Sequence, residues 1–290
     1  DNDLFKVDKN FIDKCKENFE SNRFVYVEDV VVKIFLNLRK NGSSSVVAAN
    51  NDGINEIALM QLIEKNGGHE NIISLSASLY NEFAVIMITP HGGKDLFDYY
   101  INENFTENEA KKIFKSVLRG LSFLHGKFTR ICHRDLSLEN ILIKEVENRD
   151  GTVSYKILLF DFGLSVRWPY FEDNLRPTLF PVLDMVGKVF LYCPEIVSQS
   201  EYEGISLDMW VFGLVLFQFL TKYHLFRQNL VINDDFYEVV AISHRLSDVI
   251  RIYGFVDLST NVVDLMQSVL KDEKWERKTA DELLRHAWFN

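Results

Sequence analysis

The sequence predicts an α+β protein in two lobes, a small strand-rich first part of about ninety residues and a larger helical remainder, with a cleft where they meet. Three observations carry this. β-Branched apolar runs, "EDVVVKIFL" (28–36) and "FAVIMIT" (83–89), dominate the first part. After "PHGG" (90–93) the apolar residues recur at helical spacing instead. Two charge-bearing motifs then bracket a short pair of strands.

In chain order, 28–36 reads as a strand bounded by polar residues, and "NLRKNGSSSVVAANNDG" (37–53) as a surface loop rich in Asn, Ser and Gly. "INEIALMQLIEKNGG" (54–68) has the spacing of a short helix, stopped by Gly67-Gly68. The run 83–89 is a second buried strand, and Pro90 to Gly93 is the best hinge. The expected division is 1–89, 90–93 and 94–290. Thr106 and Glu109 form a capping-box signature ahead of Ile113, Val117, Leu121 and Leu124, which share one helical face. "NILI" (140–143) and "YKILLF" (155–160) then make a hairpin around the turn "KEVENRDGTVS". No internal repeat is visible.

Composition narrows the partners. The chain has 290 residues, 47% hydrophobic and 26% charged, so it can bury a large core and lies far from disordered compositions. A net charge of −10, with no dense Lys/Arg run, disfavours nucleic acid and favours basic peptides or proteins. Cys15, Cys132 and Cys193 lack CxxC spacing, which argues against a zinc site or disulfide framework and for a reducing, cytoplasmic or nuclear setting. The charged N-terminus offers no signal-peptide stretch. "MWVFGLVLFQFL" (209–220), interrupted by Gly213 and Gln218, falls short of the ~20 residues of a membrane span. It reads as a buried core helix, and no membrane association is expected.

The chemistry lies in His133-Arg134-Asp135 with Asn140, before the hairpin, and Asp161-Phe162-Gly163 after it. A hairpin returns its ends to one place, so Asp135, Asn140 and Asp161 should meet at one edge of the cleft. Asp161 and the Asn140 amide offer hard oxygens to magnesium, and Asp135 is left to orient a hydroxyl and accept its proton.

These motifs, in this order, resemble the catalytic domain of eukaryotic protein kinases of serine/threonine type, above all the calmodulin-dependent and calcium-dependent group. The resemblance implies a bilobal protein-kinase-like fold that uses ATP and Mg²⁺, with Mn²⁺ as a substitute. It makes Lys33 in "VVVKIF" the lysine on the nucleotide phosphates and Glu56 in "NEIALM" its helix partner. Met87 is placed at the back of the adenine pocket, with Ile88 as an alternative; Ile88, Thr89 and Pro90 form the hinge, and Leu142 the floor. Pro90 removes one N–H donor there. "CPEI" (193–196) matches the family's APE motif, "LDMW" supplies a buried Asp208, and Arg277 pairs with Glu195. Glu139 and Asp95 resemble the acidic residues that hold basic residues of a substrate; the rival reading of Asp95 is a helix cap or a contact to the ribose hydroxyls.

The chain departs from the family in two places. Residues 1–33 contain no glycine, where the family carries a glycine-rich cover over the phosphates. Ser137 stands where serine/threonine members have a lysine, and Lys188 stands after Gly187 where they have a threonine. An exchange is expected, with Lys188 reaching the γ-phosphate; a solvent-facing or substrate-facing Lys188 is the alternative. Arg134 beside Asp135 suits docking of a phosphorylated segment, with Thr178 as best acceptor and Ser165 and Tyr170 behind it. The departures leave a pseudokinase scaffold as the rival to an active kinase, and a small-molecule phosphotransferase as a third reading.

Overall fold

The computed structural model describes residues 24–27, 29–36, 45–80, 84–148, 150–151, 153–168, 179–180, 187–226, 231–255 and 257–290. Apolar runs in the first part pair into an antiparallel four-stranded sheet. β1 (Phe24–Val27) and β2 (Val30–Leu36) form a hairpin, and β3 (Ala77–Tyr80) and β4 (Ala84–Pro90) complete the order β1-β2-β4-β3. Strand periodicity divides β2 and β4 between two faces. Val32, Ile34, Ala84, Ile86 and Ile88 form one buried cluster, whereas Phe35, Val85 and Met87 join the main core.

Helix α1 packs on that second face and runs Ser45–Lys65, nine residues before the expected start at Ile54. The segment 45–53, read as loop, is helical. Its Asn and Ser residues are only weakly unfavourable in a helix. Gly53 explains its own presence: a Cβ there would lie 2.5 Å from the Phe35 ring. The helix stops at Gly67 and Gly68, both at positive φ, as its C-terminal glycines require.

β4 leads through 91–93 into β5 (Lys94–Asp95) and the short helix α2 (Leu96–Asn102), then into α3 (Glu107–His125). Thr106 and Glu109 form the reciprocal capping box, and Ile113, Val117, Leu121 and Leu124 are all buried. β6 (Ile131–Cys132) pairs with β9 (Val166–Arg167), while β7 (Ile141–Glu147) and β8 (Val153–Leu159) form the expected hairpin beside β5. The strands reach further into the polar segment 144–154 than their apolar cores suggested, because the ladder continues to Glu147↔Val153 on an exposed edge.

The remainder holds β10 (Leu179–Phe180) paired with β11 (Tyr202–Glu203), α4 (Pro194–Val197), α5 (Gly204–Thr221), α6 (Leu246–Tyr253), α7 (Thr260–Gln267) and α8 (Ala280–Leu283). α5 is long and apolar enough by length and composition to cross a membrane, but 89% of it is buried within the fold. Phe114 of α3 meets Phe212 and Phe219 of α5 edge-on at 5.7 and 5.3 Å. The small sheet with α1 and the helical body together make the bilobal protein kinase fold.

Candidate active site

Lys33 lies mid-β2 opposite Met87 of β4. Its ammonium donates to Glu56 Oε1 and Oε2 at 3.0 and 2.8 Å and to Asp161 Oδ1 at 2.8 Å. Burial by itself would lower the Lys33 pKa, but the two carboxylates outweigh it and hold the group protonated. Asp161 shows the reverse balance: burial pushes it up, while the Lys33 charge and the Lys33 and Gly163 N–H bonds bring it below the ordinary carboxylate range. Glu56, completely buried, stays above its ordinary range through desolvation.

The hairpin does bring its ends together. Asn140 donates through Nδ2 to the Asp135 carbonyl at 2.7 Å and to Asp135 Oδ2 at 2.9 Å, and Phe160 N–H donates to the Asn140 carbonyl at 3.2 Å. Two non-glycine residues hold the left-handed backbone conformation here, Arg134 at φ 64° and Asp161 at φ 60°. Such conformations persist only where surrounding bonds fix them. Asp208, at the start of α5, supplies those bonds for Arg134: it accepts the N–H groups of His133 and Arg134 at 2.7 and 2.8 Å and contacts His125 Nε2 at 2.9 Å. For Asp161 the neighbour Phe162 is fully buried, its ring 5.4 Å from that of His133. His133 touches the Phe160 carbonyl through Nε2 at 3.1 Å and is part of the framework.

Burial raises the Asp135 pKa against the lowering influence of His133 and the Asn140 bond, with Asp161 raising it and Lys188 lowering it further. Lys188 forms an ion pair with Glu139. Burial of Glu139 opposes that pair, but its carboxyl ends below the ordinary range.

A cavity of about 430 Å³ opens between the lobes, lined by Lys33, Glu56, Met87, Thr89, Leu142 and Asp161 among others. Met87 and Thr89 face it, as strand alternation dictates. Ile88 does not: its side chain packs with Val32 and Ile34 on the opposite face, and its carbonyl accepts Ser76 N–H at 2.8 Å. Ile88 therefore cannot take the place given to Met87 and could meet a ligand only through its main chain. Asp95 accepts Asp98 N–H at 2.8 Å as the N-cap of α2, one of its three expected roles, and also lines the cavity. Ser165 is buried and donates to the His133 carbonyl at 3.0 Å, so it is a structural residue rather than a modifiable one. Tyr170 and Thr178 lie outside the described residues, as do residues 1–23, where the glycine-rich cover would fall.

Val31, His91, Lys94 and Asp98 also line the cavity and were not anticipated. Val31 was legible, being two positions from Lys33 in a strand; the others carry no sequence signal. Asn55 was missed too: its Nδ2 donates to the Ser165 carbonyl at 3.1 Å, tying α1 to the segment after Gly163.

The donor set suits a magnesium ion. Among the described residues no three His, Cys, Asp or Glu cluster as a self-sufficient metal site. Magnesium instead takes one or two protein oxygens and completes its shell with water and phosphate. Asp161 is ionised, and Asn140 spends its N–H group on Asp135 and keeps its amide oxygen.

A lysine locked between two carboxylates, an Asp–Asn pair and an ionised Asp around one cleft are the parts that phosphoryl transfer from a nucleotide requires. The protein kinase domain family matches residues 26–289, and the chain belongs to it. It is 30% identical over 241 residues, 81% of its length, to the "Probable serine/threonine-protein kinase MARK-B" of Dictyostelium discoideum. It is 28% identical over 78% of its length to human serine/threonine-protein kinase DCLK3, and 29% identical over 76% to serine/threonine-protein kinase SAPK7 of Oryza sativa subsp. japonica. The chain spans 30%, 32% and 57% of these relatives respectively.

Proposed function

We propose that the protein is a serine/threonine protein kinase that transfers the γ-phosphate of ATP to protein hydroxyls. The observation that carries this is the formed Lys33–Glu56 pair joined to Asp161 beside the Asp135–Asn140 pair. A scaffold without chemistry has no need to keep a lysine buried between two carboxylates, an arrangement that burial opposes.

The residues divide the work. Lys33 holds the α- and β-phosphates, with Glu56 fixing its direction. Met87, Thr89 and Leu142 bound the adenine pocket; Pro90 lacks an N–H, so the hinge offers one donor fewer than usual. Asp161 and the Asn140 amide oxygen would hold Mg²⁺, or Mn²⁺ in its place, which neutralises phosphate charge when bound. Asp135 orients the acceptor hydroxyl and takes its proton as the new P–O bond forms and the bond from the γ-phosphorus to ADP breaks.

Finer assignments belong to the same proposal. Membership of the calmodulin-dependent and calcium-dependent group rests on the motif resemblance alone, and substrates with basic residues near the target are supported by the −10 charge and by Glu139 at the cleft. Cys132 and Cys193 are buried free thiols, which agrees with an intracellular site of action.

The test is incorporation of labelled phosphate from ATP/Mg²⁺ into a generic basic protein, with Asp135→Asn as the blank. Transfer by the native chain at least ~10²-fold above the blank is expected for loss of the proton acceptor. Equal incorporation by both would overturn the assignment.

A further inference from the structure

We infer that Lys188 is the cation that meets the transferred phosphoryl group in this site. The inference rests on the kinase reading above and follows from an account of charge around Asp135. Asp135, Asp161 and Glu139 bring three carboxylates to the region where a negatively charged group would be transferred. Lys33 is committed to Glu56 and Asp161. Arg134, although adjacent to Asp135, directs its guanidinium to the Tyr202 ring at 5.8 Å. Ser137, two residues beyond Asp135, is neutral and 1% exposed. Lys94 lines the cavity from β5, and among the described residues against the Asp135 loop Lys188 is the cation left to offset repulsion between the carboxylates and the incoming phosphoryl group.

Its position is built by the backbone. Gly187 has φ 84°, and a Cβ on it would lie 3.1 Å from the Arg134 carbonyl and 3.6 Å from Asp135 Oδ1. The chain carrying Lys188 therefore runs directly against the catalytic loop, with no side chain between. The Lys188 ammonium pairs with Glu139, which itself lines the nucleotide cavity. Both partners retain mobility, at 28% and 43% side-chain exposure. A rotation about the lysine stem moves its charge from Glu139 to a phosphate without a change in the fold. A partly exposed ion pair of this kind is weak, so the pair does not immobilise the lysine.

The experiment compares the native chain with Lys188→Ala and Lys188→Arg in two measurements. The first is binding of ATP/Mg²⁺ and of ADP/Mg²⁺ by calorimetry, which needs no turnover. Lys188→Ala is expected to weaken ATP at least tenfold while leaving ADP within threefold, and Lys188→Arg to preserve the preference. The second is turnover, where Lys188→Ala should lower kcat by ~10²–10³, the usual effect of losing a donor to developing charge. Unchanged ATP/ADP discrimination together with a kcat change under about threefold would overturn the inference. If the native chain transfers no more phosphate than Asp135→Asn while discrimination still follows the charge at position 188, the kinase reading fails and only the contact of Lys188 with the γ-phosphate of a bound nucleotide survives.

Discussion

Lys33 joins three acidic oxygens that would otherwise repel one another, so a single side chain decides the electrostatics of the cleft. Replacing it by methionine leaves Glu56 and Asp161 as neighbouring carboxylates without a cation. Breaking a buried pair in this way costs about 3–5 kcal/mol. The sign with pH follows from the shifts. Asp161 is held below its ordinary range in the native protein, so its contribution is present above the unfolded carboxylate pKa and is lost as pH falls through the lower folded value. In Lys33→Met both carboxyls are pushed up, and protonating them relieves the repulsion. Thermal melts of the variant against the native chain should therefore show a larger deficit at pH 8 than at pH 5. An equal deficit at both would mean that packing of the lysine stem, not its charge, is what the fold loses.

At the scale of elements, the contact of α1 with β2 sets whether Glu56 reaches Lys33. Gly53 sits one helical turn before Glu56, against the Phe35 ring. Gly53→Ala is a gain in helix propensity of about 1 kcal/mol, yet its methyl must displace either the ring or the helix. The expected result is weaker ATP binding, by threefold or more in titration, with global stability changed by less than about 1 kcal/mol. A second element-level device is Glu107 at the first turn of α3. It accepts Ser259 N–H at 2.9 Å and Trp288 Nε1–H at 2.8 Å, and so joins α3, α7 and the end of the chain. Burial raises its pKa, but these bonds outweigh burial and place it below the ordinary range. Glu107→Gln should destabilise by about 1–2 kcal/mol at pH 7, an estimate discounted for partial exposure. The difference should shrink as pH falls through the folded pKa, a point that paired denaturation curves check.

Elements and site were legible in the sequence to different degrees, for physical reasons. The capping box at Thr106 and the face of α3 were readable because both are local: a hydroxyl and a carboxylate three residues apart, and a 3.6-residue period. Lys33, Asp135, Asn140 and Asp161 stood out because charged and amide side chains at fixed spacings interrupt apolar runs. The early start of α1 was hidden because the Asn, Ser and Gly residues of 45–53 carry a loop signal in the sequence and lie in the helix all the same. The burial of Ser165 was hidden because it rests on a bond to the His133 carbonyl, distant in sequence. Strand parity could have placed Ile88 away from the cleft, since Met87 and Ile88 must point to opposite faces.

On the scale of the whole molecule, one ion pair spans the helical body. Arg277 donates to Glu195 Oε1 and Oε2 at 2.8 and 2.9 Å, and also to the carbonyls of Ser206, Lys271 and Asp272, with its guanidinium 4.9 Å from the Trp210 ring. It therefore connects α4, the first turn of α5 and the segment before α8, three parts that share few other polar links. Both side chains are nearly fully buried, so neither can recover solvation if the other is removed. Arg277→Ala should cost about 3–5 kcal/mol, which for a chain of this size corresponds to a fall in melting temperature of roughly 6–20 °C. The Lys33–Glu56 pair of the nucleotide cleft shares no atom with this network. At temperatures where the variant remains folded, its affinity for ATP/Mg²⁺ should stay within threefold of native. A fall in affinity that tracks the fall in stability would show instead that the ion pair and the cleft belong to one cooperative unit, with the helical body transmitting the loss to the site.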